Sequence, residues 1–295
     1  MTAEQVDALL DREELLGAME AALIDFSAGR VKQPVRTIVP IAEYRGFFGL
    51  MPAVYGEIFG AKLVTLFPRN ADRSMHTHNA VIHLFRSDTG EPIAALDGRV
   101  ITAWRTAAVS AVATRCLANP DARTLCILGS GVQARTHVDM LRRVRDFEDI
   151  RIWGRTPDHA AALAEEVGGR AMNAEEAVRG ADVVVTATMA TKPILRGSWL
   201  KTGVHVNAVG AVGPTARELD DAVLSGSALI VESREAAVVE SAEVTQSRTP
   251  IYAELGEILG NAKEVPRSDR TVFKSLGIAI EDVAAARLVY ERSMR

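Results

Sequence analysis

Only two cysteines, Cys116 and Cys126, stand in 295 residues, each in an apolar setting and without a close-spaced partner. That scarcity excludes a disulfide framework, a paired redox motif and a cysteine-built metal site, and leaves two reduced core thiols. Long hydrophobic runs are absent too. Nothing approaches the roughly 20 apolar residues that a membrane-spanning helix needs, so no membrane role is expected. The opening "MTAEQVDALLDREE" carries acids where a secretory leader needs a basic start and an apolar core, and a cytoplasmic location is expected. Positive charge is not in excess: 34 Lys and Arg are scattered among 38 Asp and Glu, for a net charge of -4. The basic stripe that a phosphate backbone demands is therefore missing, which argues against nucleic acid as a partner. What the chain does have is 48% hydrophobic residues over a length sufficient for one large or two ordinary domains, enough for real cores.

The spacing of Val6, Leu9, Leu10, Leu15, Met19, Leu23 and Phe26 predicts a helical cap over residues 2–29, ending at Gly29. From Arg36 to Leu96 the runs "RTIVPIA", "GFFGLMP", "KLVTLF", "NAVIHLF" and "PIAALDG" predict a mostly antiparallel sheet. Asp97-Gly98, between two apolar runs, reads as a hairpin turn, and Thr102 as the cap of a helix over "AWRTAAVSAVATRCLA". Beyond Leu125, "LCIL", "IRIW", "DVVVTAT", "VHVNAVG" and "ALIVES" alternate with helices that begin at Gly131, end at Val167 and follow Pro214. Such alternation predicts a parallel sheet covered on both faces. The final "VFKSLGIAIEDVAAARLVYERS" is amphipathic and predicted helical, returning to the N-terminal domain.

The turn "GSGVQA" matches the dinucleotide fingerprint with Ala134 as the accepted variant of its third glycine. It follows an apolar strand and opens a helix, the context the motif requires. Gly129 allows the tight turn, and Gly131 allows backbone to approach a pyrophosphate that the helix N-terminus then binds. An NAD site usually places a carboxylate roughly 20 residues further on for the ribose hydroxyl. Here the second strand ends "IRIWGRTPDHA", so Arg155 and Thr156 stand where a 2′-phosphate would be held, and NADPH is expected over NADH.

Nicotinamide chemistry on a small acid needs cations to fix the carboxylate and a proton source for the reduced centre. Arg36 opens a β-type run, Lys62 begins "KLVTLF", and Arg105 lies in what reads as the first turn of an apolar helix. A cation there opposes the helix dipole, so Arg105 is expected to answer to an anion. His76 and His78 would share one strand face with His83 on the other, and without a third ligand no metal site is expected. His137, His159 and His205 read as structural or surface residues.

"QPVRTIVPIAEYRGFFGLMPA", "AKLVTLF", "ALDGRVITAWRTAAVSAVAT", "LCILGSGVQA", "RIWGRT", "HVNAVG", "RELDD", "YAELGEI" and "TVFKSLGIAIED" occur in the order seen in the ornithine cyclodeaminase and mu-crystallin family. The chain resembles that family from about Gln33 to Glu291, and its mu-crystallin branch most. The resemblance implies an α/β fold: a substrate-binding and dimerisation domain of α+β type over residues 1–119, a Rossmann domain over 120–272, and a C-terminal helix over 273–295 returning to the first. It implies a homodimer and reduction of cyclic ketimines such as 1-pyrroline-2-carboxylate and 1-piperideine-2-carboxylate to proline and pipecolate. Arg36 matches the arginine that grips the substrate carboxylate, and Lys62 the lysine beside it that can assist protonation of the imine, with Met51 and His78 matching positions that border the pocket. Arg105 and Thr106 match the pair that lies between substrate and cofactor in that family. Gly129, Ser130, Gly131, Val132 and Gln133 match the pyrophosphate loop, and Gly154, Arg155 and Thr156 the adenosine side. Thr188, Met189, Val209, Ser275 and Leu276 match positions on the nicotinamide side. Glu240 matches a ligand-contacting glutamate but reads equally as a helix-surface acid.

Cyclodeaminases place an aspartate shortly after "NAVG" to hold the amino group they oxidise. Val212 stands there, and valine cannot anchor an ammonium. The alternatives left open are an acyclic imine reductase or amino-acid dehydrogenase, ornithine cyclodeamination, which Val212 weakens, and a non-catalytic carrier of small molecules. NADH remains possible as cofactor.

Overall fold

The computed structural model describes residues 1–295, which divide into two compact units: Met1–Arg105 with Gly277–Arg295, and Thr106–Leu276. In the first, an antiparallel sheet runs in chain order through Thr37–Ile41 (β1), Gly46–Tyr55 (β2), Ile58–Leu66 (β3), His78–Arg86 (β4) and Pro92–Asp97 (β5). Residues opposite one another in such a ladder point to the same face. Met51 pairs with Lys62 and Lys62 with Ile82, so these three share one face. That face is covered by Ala279–Ser293 (α11), which packs on β2, β3 and β4 and against Arg12–Ser27 (α2). The opposite face carries Val39, Phe48, Leu50, Val54, Phe59, Leu63, Val81 and Phe85 in register. No helix covers it: Val39 is 50% exposed, Val81 43% and Val54 42%.

Four expectations change here. The N-terminal cap is two helices, Ala3–Leu9 (α1) and α2, because Leu10 turns extended and Asp11 caps α2 through the Glu13 and Glu14 amides. Asp97-Gly98 is no hairpin: β5 runs directly into Gly98–Leu117 (α3). Asp97 rather than Thr102 caps it, its carboxylate accepting from the Arg99 and Val100 amides at 2.9 and 3.0 Å. Thr102 lies inside the helix, and Arg105 sits about two turns into it rather than in the first turn.

The second unit is built on eight parallel strands: Thr124–Leu128 (β6), Asp149–Trp153 (β7), Arg170–Ala171 (β8), Val183–Thr186 (β9), Val204–Ala208 (β10), Ala228–Val231 (β11), Ile251–Glu254 (β12) and Arg270–Lys274 (β13). Their order is β12-β11-β13-β10-β9-β6-β7-β8. Beyond α3, the connecting helices are Val132–Arg142 (α4), Pro157–Val167 (α5), Ala174–Val178 (α6), Asp221–Ser225 (α7), Arg234–Glu240 (α8), Ala242–Ser247 (α9) and Leu255–Leu259 (α10). The run after Pro214 is mostly irregular, with helix only in the five residues of α7. Residues 273–278 are not helical: "TVFK" is the inner strand β13, and α11 starts at Ala279. A short apolar run fits either period, and pairing between two strands decides for β. No helix is long and apolar enough to cross a membrane.

Candidate active site

Within the first unit, α11 begins with two acids in its first turn, Glu281 and Asp282, both fully buried. Burying such charges costs several kcal/mol each unless they are paired, and their partners are the cations picked out in the sequence. Lys62 Nζ lies 2.6 Å from Asp282 Oδ2. Arg105 Nε donates to Asp282 Oδ1 at 3.0 Å and Arg105 Nη1 to Glu281 Oε2 at 2.6 Å. Arg36 reaches the same place, donating through Nη2 to the Gly277 carbonyl at 2.7 Å. Gly277 has φ 74°, and a Cβ there would fall 2.4 Å from Arg105 Nη1, so the guanidinium occupies the space a side chain would take.

The anion that Arg105 answers to is thus internal, and Asp282 links Arg105 to Lys62. Burial brings the Lys62 ammonium down to about 8 against the restoring pull of Asp282, with Arg105 and Arg36 adding to the depression. Burial opposes ionisation of Asp282, yet Arg105 and Lys62 hold its carboxyl below the usual range. His78 shares the sheet face of Lys62, and burial followed by Lys62 and Arg105 lowers its imidazole to about 4, so it is neutral at neutral pH. His76 lies outside the strand, bonded to Arg99. Met51, opposite Lys62, is 2% exposed and packs in the core.

In the second unit, the residues expected on the cofactor fall at the carboxyl ends of neighbouring strands. The strand order turns back between β6 and β9, the switch point where open parallel sheets bind ligands. Gly129 follows β6 with φ 147°, and a Cβ on it would fall 2.5 Å from the Ala187 carbonyl oxygen, so only glycine fits. Ser130 and Gly131 lead into α4, whose N-terminus at Val132 and Gln133 carries no side-chain cap. Gly154 lies behind Ser130 at the end of β7, and Arg155 and Thr156 beyond it are exposed. Thr188 and Met189 follow β9, Val209 follows β10, and Ser275 with Leu276 follows β13. Thr106 lies in α3, buried.

Glu240 is buried at the end of α8 rather than on a helix surface, and its carbonyl accepts from the Gly213 amide at 2.7 Å, next to the exposed Val212. Glu281 and Asp282 were not singled out in the sequence, where acids opening an amphipathic helix read as ordinary first-turn residues. A missed signal was available: "GIAIEDVAAA" flanks both acids with small and apolar residues on every side.

Fold and turn define an α/β protein whose parallel-sheet unit is of the Rossmann, dinucleotide-binding type. A family model described as the ornithine cyclodeaminase/mu-crystallin family matches residues 1–295, and the chain belongs to that family. It is 47% identical over 300 residues to the mouse ketimine reductase mu-crystallin, covering 99% of this chain and 96% of that one. Among solved structures it is similar to the Thermococcus litoralis Delta(1)-pyrroline-2-carboxylate reductase in complex with NADH and L-proline, with 33% identity, TM-score 0.95 and coverage of 100% and 97%. An archaeal alanine dehydrogenase dimer with bound NAD gives 30% identity, TM-score 0.95 and coverage of 100% and 95%.

Proposed function

We propose that the chain is a reductase of cyclic ketimines that carry a carboxylate next to the C=N bond, turning 1-pyrroline-2-carboxylate or 1-piperideine-2-carboxylate into proline or pipecolate. The observation that carries this reading is the buried ammonium of Lys62, held by Asp282 beside Arg105 and Arg36. The mouse relative is a ketimine reductase, and the Thermococcus relative holds NADH and L-proline.

The constricted Gly129 turn, the uncapped start of α4 and the exposed Arg155 and Thr156 fit a dinucleotide, with pyrophosphate against Gly129 to Gln133. When bound in its reduced form, that group supplies a hydride to the imine carbon. Arg36 orients the substrate carboxylate, and Arg105, held by Glu281 and Asp282, adds its positive charge beside it. Lys62, protonated below about 8, gives its proton to the imine nitrogen, because an iminium accepts hydride far better than a neutral imine. Asp282 keeps the Lys62 ammonium in position and charged, and the neutral His78 adds no competing charge. Arg155, where an NAD site has an acid, makes NADPH the preferred reductant, with NADH as a second choice.

Val212 leaves no carboxylate to hold an ammonium, which disfavours oxidation of ornithine. The likeness to an alanine dehydrogenase supports a second reading, reduction of the acyclic imine formed from a keto acid and an amine. We take the working form to be a homodimer joined through the uncovered apolar sheet face, and its setting to be the cytoplasm.

The test follows loss of nicotinamide absorbance with purified protein, NADPH and each preformed cyclic ketimine, beside pyruvate with ammonia or methylamine. Faster turnover of the cyclic imines is expected, and Arg36→Ala should lose most of it. Activity confined to pyruvate and amine would overturn the cyclic reading in favour of the acyclic one.

A further inference from the structure

One buried carboxylate of the second unit is not used by the chemistry proposed above. Glu218 lies in the irregular run before α7 and is fully buried. Five donors converge on it. Its Oε1 accepts from the Thr188 amide at 2.6 Å and the Thr188 hydroxyl at 2.7 Å. Its Oε2 accepts from the Thr186 hydroxyl at 2.8 Å, the Gly210 amide at 2.8 Å and the Ala211 amide at 3.2 Å. Thr186 and Thr188 end β9 and open its loop, while Gly210 and Ala211 belong to the loop after β10. One side chain thus ties together the carboxyl-end loops of two adjacent strands.

The tie is itself anchored. Glu243 Oε1 accepts from the Glu218 and Leu219 amides at 2.6 and 2.8 Å. Glu243 Oε2 pairs at 3.1 Å with Lys274, which is fully buried and donates to the Ala211 carbonyl at 2.6 Å. Two carboxylates and one ammonium therefore brace the loops from α9, β13 and the run before α7. A group that needed only to satisfy stray amides would not require charge; a fully buried carboxylate receiving amides from both loops fixes their spacing. Burial raises the Glu218 carboxyl, while Lys274 and the two threonine hydroxyls draw it back toward the ionised form.

We infer that Glu218 is a positioning residue for hydride transfer, setting the loops after β9 and β10 against the nicotinamide half of the dinucleotide while leaving the adenosine half to the Gly129 turn. This rests on the dinucleotide reading above, in which Thr188, Met189 and Val209 stand on the nicotinamide side. In Glu218→Gln an amide NH2 replaces one acceptor oxygen and opposes donors on one of the two loops. The loops then shift, and a displacement on the scale of 1 Å at a reacting centre costs on the order of a hundredfold in rate.

The experiment compares Glu218→Gln and the milder, nearly isosteric Thr186→Val with the parent chain, reading affinity for NADPH and for adenosine 2′,5′-bisphosphate, and kcat and KM with 1-pyrroline-2-carboxylate. For Glu218→Gln the expectation is NADPH bound about tenfold or more weakly, the bisphosphate within about twofold of the parent, kcat reduced about tenfold or more, and the imino-acid KM little changed. Thr186→Val should show the same split, smaller. If both nucleotides weaken in parallel in both variants, or NADPH binds both as it binds the parent, Glu218 has no positioning role and the inference is overturned. Failure of the parent chain to bind either nucleotide would instead overturn the dinucleotide reading and this inference with it. Normal binding without imine turnover would overturn only the proposed substrate, since the binding split still reports on Glu218.

Discussion

At the scale of single residues, the central feature is a lysine kept charged by one aspartate. Lys62 has its ammonium lowered to about 8, chiefly by burial, and Asp282 raises it against that trend. If the protonated lysine is the working form, kcat should hold at neutral pH and fall as pH rises through about 8. Asp282→Asn takes away the negative charge that favours protonation of Lys62, so the basic limb of the pH–rate profile should move to lower pH. Lys62→Ala should remove the limb and cost about a hundredfold or more in kcat. A profile that keeps its basic limb in Lys62→Ala would assign the titration elsewhere. Arg155 allows a second prediction: Arg155→Ala should raise the KM for NADPH about tenfold or more and leave that for NADH nearly unchanged, the loss expected for a charge-assisted contact to phosphate. Arg36, Lys62 and Arg105 were legible because cations in apolar runs are conspicuous. Glu281 and Asp282 were not, because sequence shows that an acid opens a helix and does not show that the helix is enclosed on every side, as α11 is through Ala286.

At the scale of elements, α3 shows why local signals mislead at boundaries. Asp97-Gly98 has the composition of a two-residue hairpin turn, yet the Asp97 carboxylate takes two helix amides and starts α3 five residues before Thr102 would have. Asp97→Ala should therefore cost about 1 kcal/mol of stability and lower the melting temperature by about 2–4 °C, while Thr102→Ala should not act through a lost cap. Equal melting temperatures for Asp97→Ala and the parent would contradict this. The five strands of the first sheet, β6, β7, β9, β10 and β11 of the second, and the Gly129 turn were readable from alternation, apolar runs and glycine spacing, all local properties; β8 and β12, of two and four residues, were not expected. Strand β13 was not: its apolar run merges with the following helix in sequence, and only its place between β10 and β11 separates them.

At the scale of the whole molecule, the uncovered sheet face of the first unit stands out. Aromatic and aliphatic side chains line it in register, including Phe59 and Phe85 stacked at 5.0 Å, with Val39, Leu50, Val54 and Val81 each at least 36% exposed. A contiguous exposed apolar surface of this kind is what the proposed homodimer would bury. Leu50→Asp, on that face and away from Lys62, should shift the protein from dimer to monomer in sedimentation velocity; a parent chain that sediments as a monomer would refute the homodimer. Alternation of apolar residues on both faces of β2 and β3 made the sheet legible but hid this, since sequence does not say which face receives a helix. The order of the segments has a further effect during synthesis. The first unit is interrupted by the whole of residues 106–276 and completed by α11. On the ribosome, the central unit can therefore close while the earlier sheet still waits for its covering helix. A nascent chain stalled before residue 279 would leave open the sheet face that α11 covers, with Lys62 and Arg105 lacking their acids.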